Sequence, residues 1–313
     1  MGWPQRLLRS SFIASAIVSA GLALLAGCAR PYATTERPAP ATLRDAIAAR
    51  IARTPGAFAE VAYHDLGTGD TLFMNADSLV HAASTMKVPV MLRLYREAES
   101  GKLSLDRKIL LVNRFASIVD RSPYALDPKV DGDTAIYASV GDSITVRELI
   151  RHMITRSSNL ATNTLIAFAD PDSVNAMMRS FGAMHMRVLR GVEDQKAFDA
   201  GLNNMATARD LATLLTALQT GRVASRAATD EMRTVLLSQE FNEKIPAGLP
   251  PGIPVAHKTG DITAIAHDAA IVYPRGRAPY VLVVLTKGIP QEPVADSLIA
   301  DISRAVYAHA TSH

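Results

Sequence analysis

The chain has 313 residues, of which 48% are hydrophobic and 20% are charged, and its formal net charge at pH 7 is +3. This length and composition allow a large buried core in one or two globular domains. A net charge this small, without a basic tract, argues against a nucleic acid partner.

Residues 1–27 are typical of an export signal. Arg6 and Arg9 precede the apolar stretch SFIASAIVSAGLALLA, and LLAGC then leads to Cys28, the only cysteine. The apolar stretch is shorter than the roughly 20 residues that a bilayer core requires. LLAGC resembles the lipobox of bacterial lipoproteins, which implies that Cys28 is acylated and becomes the first mature residue. The alternative is an ordinary secretory signal in which this cysteine is incidental.

We therefore expect an exported protein that is lipid-anchored to the bacterial cell envelope. Residues 28–42, which are rich in Pro, Thr and Ala, are predicted to form a flexible tether. The folded body is predicted over residues 43–309. It opens with a helix in TLRDAIAARIA, and FAEVAYHDLGTGDTLFMNAD then predicts two short strands around the turn LGTGD.

STMKVPVMLRLYREAESGKLSL predicts the next helix, which Ser84 opens and Gly101 closes. Ser84 and Lys87 would then lie one helical turn apart on the same face. A serine hydroxyl becomes a nucleophile when a neighbouring base takes its proton, and a partly desolvated lysine can act as that base. Taken alone, the pair is better explained as an N-cap serine beside a solvated lysine, because N-cap serines are common. A catalytic interpretation therefore depends on the other motifs of the chain.

Residues 112–142 follow as an inserted or enlarged loop that can cover the site and narrow its substrate range. Thr145 and Glu148 then predict a capping box at the start of a helix. Ser157-Ser158-Asn159 stands at the joint before another helical pattern, LATNTLIAF. The chain shows no clustered Cys and His spacing, so we expect neither a metal nor another cofactor.

VAHKTGDITAIAHDAAIVYP predicts a strand that carries Lys258-Thr259-Gly260. PYVLVVLTKG predicts another strand, and the chain is expected to end in a helix over residues 294–308. The motif S-x-x-K, then S-x-N, then K-T-G, in this order, is the signature of the penicillin-recognising serine hydrolases.

The chain resembles the class A β-lactamase branch of these hydrolases. The stretch from Ser84 is similar to the nucleophile helix of that branch, and LRGVEDQKAFDAGLNNMATARDLATLL is similar to its omega loop and following helix. The resemblance covers nearly all of residues 43–308. It implies an α/β fold of the α+β sandwich type, with an antiparallel sheet flanked by helices and a mainly helical part from Ser84 to Met232. The active site would lie in the cleft between the two parts.

The resemblance also implies the catalytic roles. Ser84 would attack the β-lactam carbonyl to form an acyl-enzyme, with Lys87 as the base or proton relay. Ser157 would pass a proton to the leaving nitrogen. Glu193, whose distance from Ser157 is similar to the family spacing, would activate the water that hydrolyses the ester.

Five further residues are implied to bind the substrate. Asn159 would hold its side-chain amide, and Lys258 and Thr259 would bind its carboxylate. Gly260 leaves room for a substrate lying edge-on to the strand. The backbone N–H groups of Ser84 and Asp261 would form the oxyanion hole.

The chain departs from the family pattern at several positions. The second motif has Ser158 where class A usually has an aspartate. Asp261 stands where a small or hydroxyl residue is commoner, and its carboxylate can repel that of the substrate. The family's R-x-E-x-x-x-N becomes Arg190 and Glu193 separated by two residues, with Ala197 in place of the asparagine.

Because of these departures, the identity of the deacylation base and of the asparagine that binds its water stays open in the sequence. Asn203 or Asn204 can replace the missing asparagine, and Asp194 is a rival for the base. Glu193 can instead form a surface ion pair with Arg190, a kind of pair that contributes little.

Three functions are compatible with the sequence. The first is a class A β-lactamase-like hydrolase, and the second is a D-alanyl-D-alanine carboxypeptidase or penicillin-binding protein acting on peptidoglycan peptides. The third is a catalytically silent envelope lipoprotein that binds cell-wall fragments. In each case we expect a monomer, a small-molecule β-lactam or peptidoglycan peptide as ligand, and a membrane reached through the lipid anchor.

Overall fold

The computed structural model describes residues 42–312. Cys28, the signal segment and nearly all of the predicted tether lie outside these residues. The α-helices that it contains are α1 Leu43–Ala52, α2 Lys87–Glu99, α3 Val146–Thr155, α4 Asn159–Ala169, α5 Pro171–Ser180, α6 Gln195–Asp199, α7 Ala208–Gln219, α8 Arg226–Leu237 and α9 Glu292–Ala310.

The strands are shorter on average and fall into one large sheet and three small pairs. They are β1 Phe58–Asp65, β2 Thr71–Met74, β3 Val80–His81, β4 Lys108–Leu110, β5 Phe115–Ala116, β6 Pro123–Tyr124, β7 Ser143–Thr145, β8 Met205–Ala206, β9 Val255–Ile262, β10 Ile265–Val272 and β11 Tyr280–Lys287. The large sheet has the order β2-β1-β11-β10-β9, and all its pairings are antiparallel.

Strand β11 explains why the sheet is buried on both faces. Successive side chains of a strand point to opposite faces. Val281 and Val283 accordingly join the core beneath the helical part, whereas Leu282 and Val284 join the core beneath α1 and α9. An apolar run in which every second residue faces the same side therefore fills two cores, as expected of a central strand.

The helices cover the two faces of the sheet. The terminal helices α1 and α9 pack on one face, and α7 packs on the other, where it joins the helices of the helical part. This confirms the predicted antiparallel sheet flanked by helices. No helix within residues 42–312 is long and apolar enough to cross a membrane.

The helix starts show where the sequence pattern was accurate and where it was not. The predicted helix opening at Ser84 is a 3-10 turn over Ala83–Met86, and α2 itself begins at Lys87. Thr145 caps α3 by accepting the N–H of Glu148. The Glu148 carboxylate accepts from Arg151 in the next turn, which differs from the reciprocal bond of the predicted capping box.

Candidate active site

Ser84 lies in the 3-10 turn before α2, half-buried between the buried residues Ala83 and Thr85. Ala83 has a φ of 44°, a left-handed conformation that is uncommon for a residue with a Cβ. The N–H of Ala83 donates to His81 Nδ1 at 3.0 Å, and the Thr85 hydroxyl donates to the carbonyl of Ala82 at 2.6 Å. These bonds hold a strained turn that presents the serine, as is common at functional sites.

Gly260 permits strand β9 to run directly against this turn. A Cβ at Gly260 would lie 3.0 Å from the backbone nitrogens of both Ser84 and Thr85. Any larger residue would push the strand away from the serine. The glycine of the third motif therefore sets the distance between the strand and Ser84.

Lys87 is fully buried, and its ammonium points at the second motif. Its Nζ donates to the Ser157 carbonyl at 2.6 Å, to Ser157 Oγ at 3.1 Å and to Asn159 Oδ1 at 2.9 Å. Burial and the nearby ammonium of Lys258 hold the pKa of Lys87 well below its usual value of 10.5. A lysine in this environment can release its proton and act as a base.

Ser157 connects the two lysines. Its Oγ accepts from Lys87 Nζ at 3.1 Å and from Lys258 Nζ at 3.0 Å. Ser157 itself has a φ of 58°, another left-handed position at the site. Burial lowers the pKa of Lys258 to about 7, although the Asp261 carboxylate opposes this fall. The three side chains form a continuous path along which a proton can move.

Glu193 joins this group from the omega-loop segment. Its Oε1 accepts a hydrogen bond from Asn159 Nδ2 at 2.8 Å. Burial raises the pKa of Glu193, although the bond from Asn159 opposes the rise. Its φ of 60° makes it the third left-handed, non-glycine residue of the site, after Ala83 and Ser157. Glu193 is therefore held in a specific orientation beside Asn159, and its raised pKa makes it a stronger base than an exposed glutamate.

Asp194, the rival base, has a different role. Its carboxylate accepts from Ser117 Oγ at 2.9 Å, from the Ile118 N–H at 2.9 Å and from the Ala197 N–H at 3.1 Å. Burial opposes ionisation, but the hydrogen bonds from Ile118 and Ala197 still hold the pKa of Asp194 below its usual range. Asp194 caps α6 and fastens the loop over residues 112–142 to the omega-loop segment.

Arg190 does not pair with Glu193. Its guanidinium donates to the carbonyls of Leu202 and Gly191 at 2.9 Å and to Asn203 Oδ1 at 2.7 Å. The surface ion pair considered as an alternative is therefore wrong. Arg190 and Asn203 close the omega-loop segment on itself.

The asparagines proposed as substitutes for the missing one are also occupied. Asn204 Oδ1 accepts from the N–H groups of Leu189 and Arg190, while Asn203 accepts from the Arg190 side chain. Asn204 thus holds the backbone of the loop, and Asn203 holds the Arg190 side chain. Asn163, which the sequence did not single out, binds the N–H and carbonyl of Val192 at 2.6 and 3.0 Å and thereby positions the residue next to Glu193.

Asp131, from the loop over residues 112–142, supports the second motif. Its Oδ2 accepts from the N–H groups of Asn159 and Leu160 at 2.9 and 3.0 Å, and from the Tyr137 hydroxyl at 2.9 Å. Ser158 instead caps α4 by accepting from Ala161 N–H at 3.1 Å. The carboxylate that the motif lacks at Ser158 is thus supplied by the loop, at the positive end of the helix.

Asp261 follows the third motif and is bound by a buried lysine. Lys244, whose side chain is 3% exposed, lies 3.1 Å from Asp261 Oδ1 and 3.0 Å from Asp296 Oδ1. Burial raises the pKa of Asp261 and Lys244 opposes this rise. Burial lowers the pKa of Lys244, but the two carboxylates outweigh it and hold that pKa above its usual value.

Two cavities open on either side of Ser84. One of about 320 Å³ lies on the omega-loop side and includes Glu193 and the exposed ring of Phe198. The other, of about 440 Å³, includes Ser157 and Thr259. Within residues 42–312 no three His, Cys, Asp or Glu side chains are grouped so that they could hold a metal ion.

The structure thus brings together all nine sequence-predicted residues of the site other than Cys28, which lies outside the described part of the chain. It adds Asp131, Asn163 and Lys244. In the sequence, the one indication of Asp131 was that it lies in the enlarged loop predicted to cover the site. Asn163 and Lys244 carried no signal, since a lone asparagine in a helix and a lone lysine in a loop are ordinary surface residues.

Comparison with known proteins adds to this geometry. A sequence profile of the β-lactamase enzyme family matches residues 42–310. The β-lactamase AST-1 of Nocardia asteroides is 30% identical to the chain over 310 residues, which is 96% of both proteins. An ancestral class A β-lactamase of known structure superposes with a TM-score of 0.75 at 27% identity, over 86% of this chain and 100% of the other. The structure of PBP-A superposes with a TM-score of 0.72 at 26% identity, over 85% of this chain and 95% of the other.

Proposed function

Because the chain belongs to the β-lactamase enzyme family, we propose that it opens β-lactam rings through an acyl-enzyme on Ser84 and then hydrolyses that ester. It is a class A β-lactamase-like serine hydrolase. The observation that carries the complete cycle is the hydrogen bond between Asn159 and Glu193, because it holds a second, separate base in the same cleft as Lys87.

In the acylation half of the cycle, neutral Lys87 takes the proton of the Ser84 hydroxyl, and the oxygen attacks the lactam carbonyl carbon. The C–N bond then breaks, and Ser157 gives its proton to the departing nitrogen. Ser157 recovers a proton from Lys87 or Lys258, both of which donate to its oxygen. The N–H groups of Ser84 and Asp261 would stabilise the oxyanion, by about 3 kcal/mol for each donor.

In the deacylation half, Glu193 removes a proton from water, and the resulting hydroxide attacks the ester carbonyl. The ester C–O bond breaks, and the Ser84 oxygen takes the proton that Glu193 removed from the water, which regenerates both the serine hydroxyl and the Glu193 carboxylate. A carboxyl with a raised pKa suits this work, because its basicity is then closer to the operating pH. Each half of the cycle thus has its own base: Lys87 deprotonates Ser84 in acylation, and Glu193 deprotonates water in deacylation.

Two observations favour a second function, that of a penicillin-binding protein acting on peptidoglycan peptides. The fold is similar to that of PBP-A over 95% of the length of that protein. Position 197, where the family has an asparagine that binds the deacylating water, is Ala197 here. A protein of this second kind would form the acyl-enzyme but release it slowly.

We also propose that the mature protein starts at an acylated Cys28 and is anchored to the bacterial envelope. The support is the sequence LLAGC after a basic and then apolar segment. Expression of the full chain in a bacterium should yield a protein that partitions into detergent, whereas Cys28→Ser should release it to the aqueous phase. An unmodified Cys28 in the native protein would contradict the anchor.

The proposed function is tested by mixing the full chain with a chromogenic cephalosporin and following colour and intact mass together. Rapid turnover is expected, and Ser84→Ala should abolish both turnover and adduct. Lys87→Ala should slow acylation by more than about a hundredfold, the usual size of a lost general base. An adduct that forms on the native protein and persists for hours would favour the penicillin-binding function, and an adduct on Ser157 would overturn the assignment of the nucleophile.

A further inference from the structure

The residue after the third motif places a negative charge where the substrate carboxylate is expected. Lys258 and Thr259 are the proposed partners of that carboxylate, and Asp261 follows them two positions on from Thr259. The side chain of Asp261 is 37% exposed, and it lines the cavities on both sides of Ser84. A substrate carboxylate bound to Lys258 therefore has a protein carboxylate close by.

The nearest further cation cannot cancel this charge. Lys244 Nζ lies 3.1 Å from Asp261 and 3.0 Å from Asp296, so one ammonium is shared by two carboxylates. The side chain of Lys244 is 3% exposed, which fixes it in this arrangement and keeps it from turning towards a ligand. The three groups together carry one net negative charge.

The larger of the two cavities has an acidic lining as a whole. It contains the nucleophile and the proton donor, Ser84 and Ser157, and it continues past Thr259 away from the omega-loop segment. The charged residues that line it are Lys244 and four carboxylates, those of Asp261, Asp296, Glu243 and Glu292. Glu243 and Glu292 are exposed at its rim. A substituent that leaves the lactam ring on this side would enter an acidic space.

We propose that Asp261 makes this side of the site select β-lactams that carry a cationic substituent next to their carboxylate, and that it disfavours those whose substituent is neutral or anionic. The proposal rests on the proposed function, since it assumes that β-lactams acylate Ser84. The selection has an attractive part, between the cation and the acidic lining, and a repulsive part, between Asp261 and an uncompensated carboxylate. Both parts involve Asp261, and the attractive part also involves the other carboxylates that line the larger cavity.

The test compares two cephalosporins that share one acylamino side chain and differ at the C3 methylene. One carries a pyridinium there and the other a neutral acetoxy group. The ratio of their kcat/KM values is measured for the full chain, for Asp261→Asn and for Glu292→Gln. Comparing one ratio between variants cancels the intrinsic reactivity of the two compounds. Glu292→Gln leaves the Asp261–Lys244 pair intact and so remains informative if Asp261→Asn folds poorly.

The ratio in favour of the pyridinium compound should fall by about fivefold in Asp261→Asn, the upper size of one solvent-accessible ion pair. It should fall by a smaller factor in Glu292→Gln and stay constant in Asp172→Asn, an exposed carboxylate of α5 that lines neither cavity. A ratio that is the same in all four proteins would overturn the selection while leaving the proposed function intact. Failure of both compounds to acylate Ser84 would overturn the proposed function and this inference with it.

Discussion

The side-chain amide of Asn159 donates a hydrogen bond to the carboxylate of Glu193 at 2.8 Å. The carbonyl oxygen of the same amide accepts from Lys87 Nζ at 2.9 Å. One asparagine thus fixes the position of both proposed bases and connects the helical motif to the omega-loop segment.

The first prediction concerns the alkaline side of the pH profile. Burial lowers the pKa of Lys258 to about 7, and only the protonated ammonium attracts a substrate carboxylate. For a carboxylate-bearing β-lactam, kcat/KM should therefore decline as the pH rises through 7 and beyond. Lys258→Arg should remove this decline, because arginine keeps its charge, although the different shape of its side chain should lower the rate at every pH.

Steady-state kinetics of both proteins from pH 6 to 10 check this point. If kcat/KM of Lys258→Arg declines with the same midpoint on the alkaline side, the decline comes from a group other than Lys258. Lys87 acts in the opposite direction, because loss of its proton produces the base and should raise the acylation rate.

The second prediction concerns Asp131, which accepts four hydrogen bonds, from the Tyr137 hydroxyl and from the N–H groups of Asp133, Asn159 and Leu160. Asp131→Asn keeps the size of the side chain but removes its charge and one acceptor. The free energy of unfolding should fall by about 1–3 kcal/mol, the penalty for buried donors left unpaired. Acylation should also slow, because Ser157 and Asn159 lose their orientation.

Urea unfolding and single-turnover acylation measure the two effects. Asp142→Asn, an exposed carboxylate at the C-terminal end of the same loop, serves as the control. If Asp131→Asn and this control agree within about 0.5 kcal/mol and in rate, the supporting role of Asp131 is wrong.

The third prediction concerns Glu60, a carboxyl of β1 that is fully buried. Burial raises its pKa to about 8, although the N–H of Ala208 donates to it at 3.0 Å and opposes the rise. In the unfolded chain the same group titrates near 4.5. The folded state thus favours the protonated form, and its contribution to stability is complete below pH 4.5 and is lost as the pH rises to about 8.

Glu60→Gln should consequently reduce the loss of unfolding free energy between pH 5 and pH 8. Denaturant unfolding at several pH values measures the slope. Glu243→Gln, an exposed glutamate, should leave the slope unchanged. Equal slopes in Glu60→Gln and the unmodified protein would show that this carboxyl is not the group responsible.

Much of the fold follows directly from local sequence patterns. The apolar run of β11 and the hairpin of β1 and β2 have the strand periodicity that a buried antiparallel sheet requires. Thr145 and Ser158 are hydroxyl residues immediately before helical patterns, and both cap helices. Such features depend on a few neighbouring residues, so a sequence displays them.

The supporting parts of the site depend on contacts between distant residues. Asp131 binds backbone groups 28 and 29 positions away, and Lys244 meets Asp261 and Asp296 from a separate loop. Such long-range contacts leave no periodic pattern of apolar residues in the sequence. The left-handed φ of Ala83 likewise occurs in a turn against which Gly260 of β9 packs, and alanine has no intrinsic preference for that conformation.

The choice between Glu193 and Asp194 shows the same limit. In the sequence, the two adjacent carboxylates are equally suited by their chemistry to act as the base for deacylation. In the folded protein the left-handed φ of Glu193 directs it towards Asn159, whereas Asp194 becomes the N-cap of α6. Backbone geometry at one residue therefore separates a proposed catalytic group from a structural one.

The central claim is that Glu193 is the base for deacylation, and intact-mass spectrometry of the full-chain Glu193→Gln variant during reaction with a β-lactam tests it most directly. Acylation of Ser84 should remain largely intact, while the adduct accumulates and turnover falls by about a hundredfold or more. Asp194→Asn, measured in parallel, should retain turnover to the extent that it folds. An adduct that already lasts for hours in the unmodified protein, and that Glu193→Gln does not prolong, would contradict the claim and favour a penicillin-binding protein.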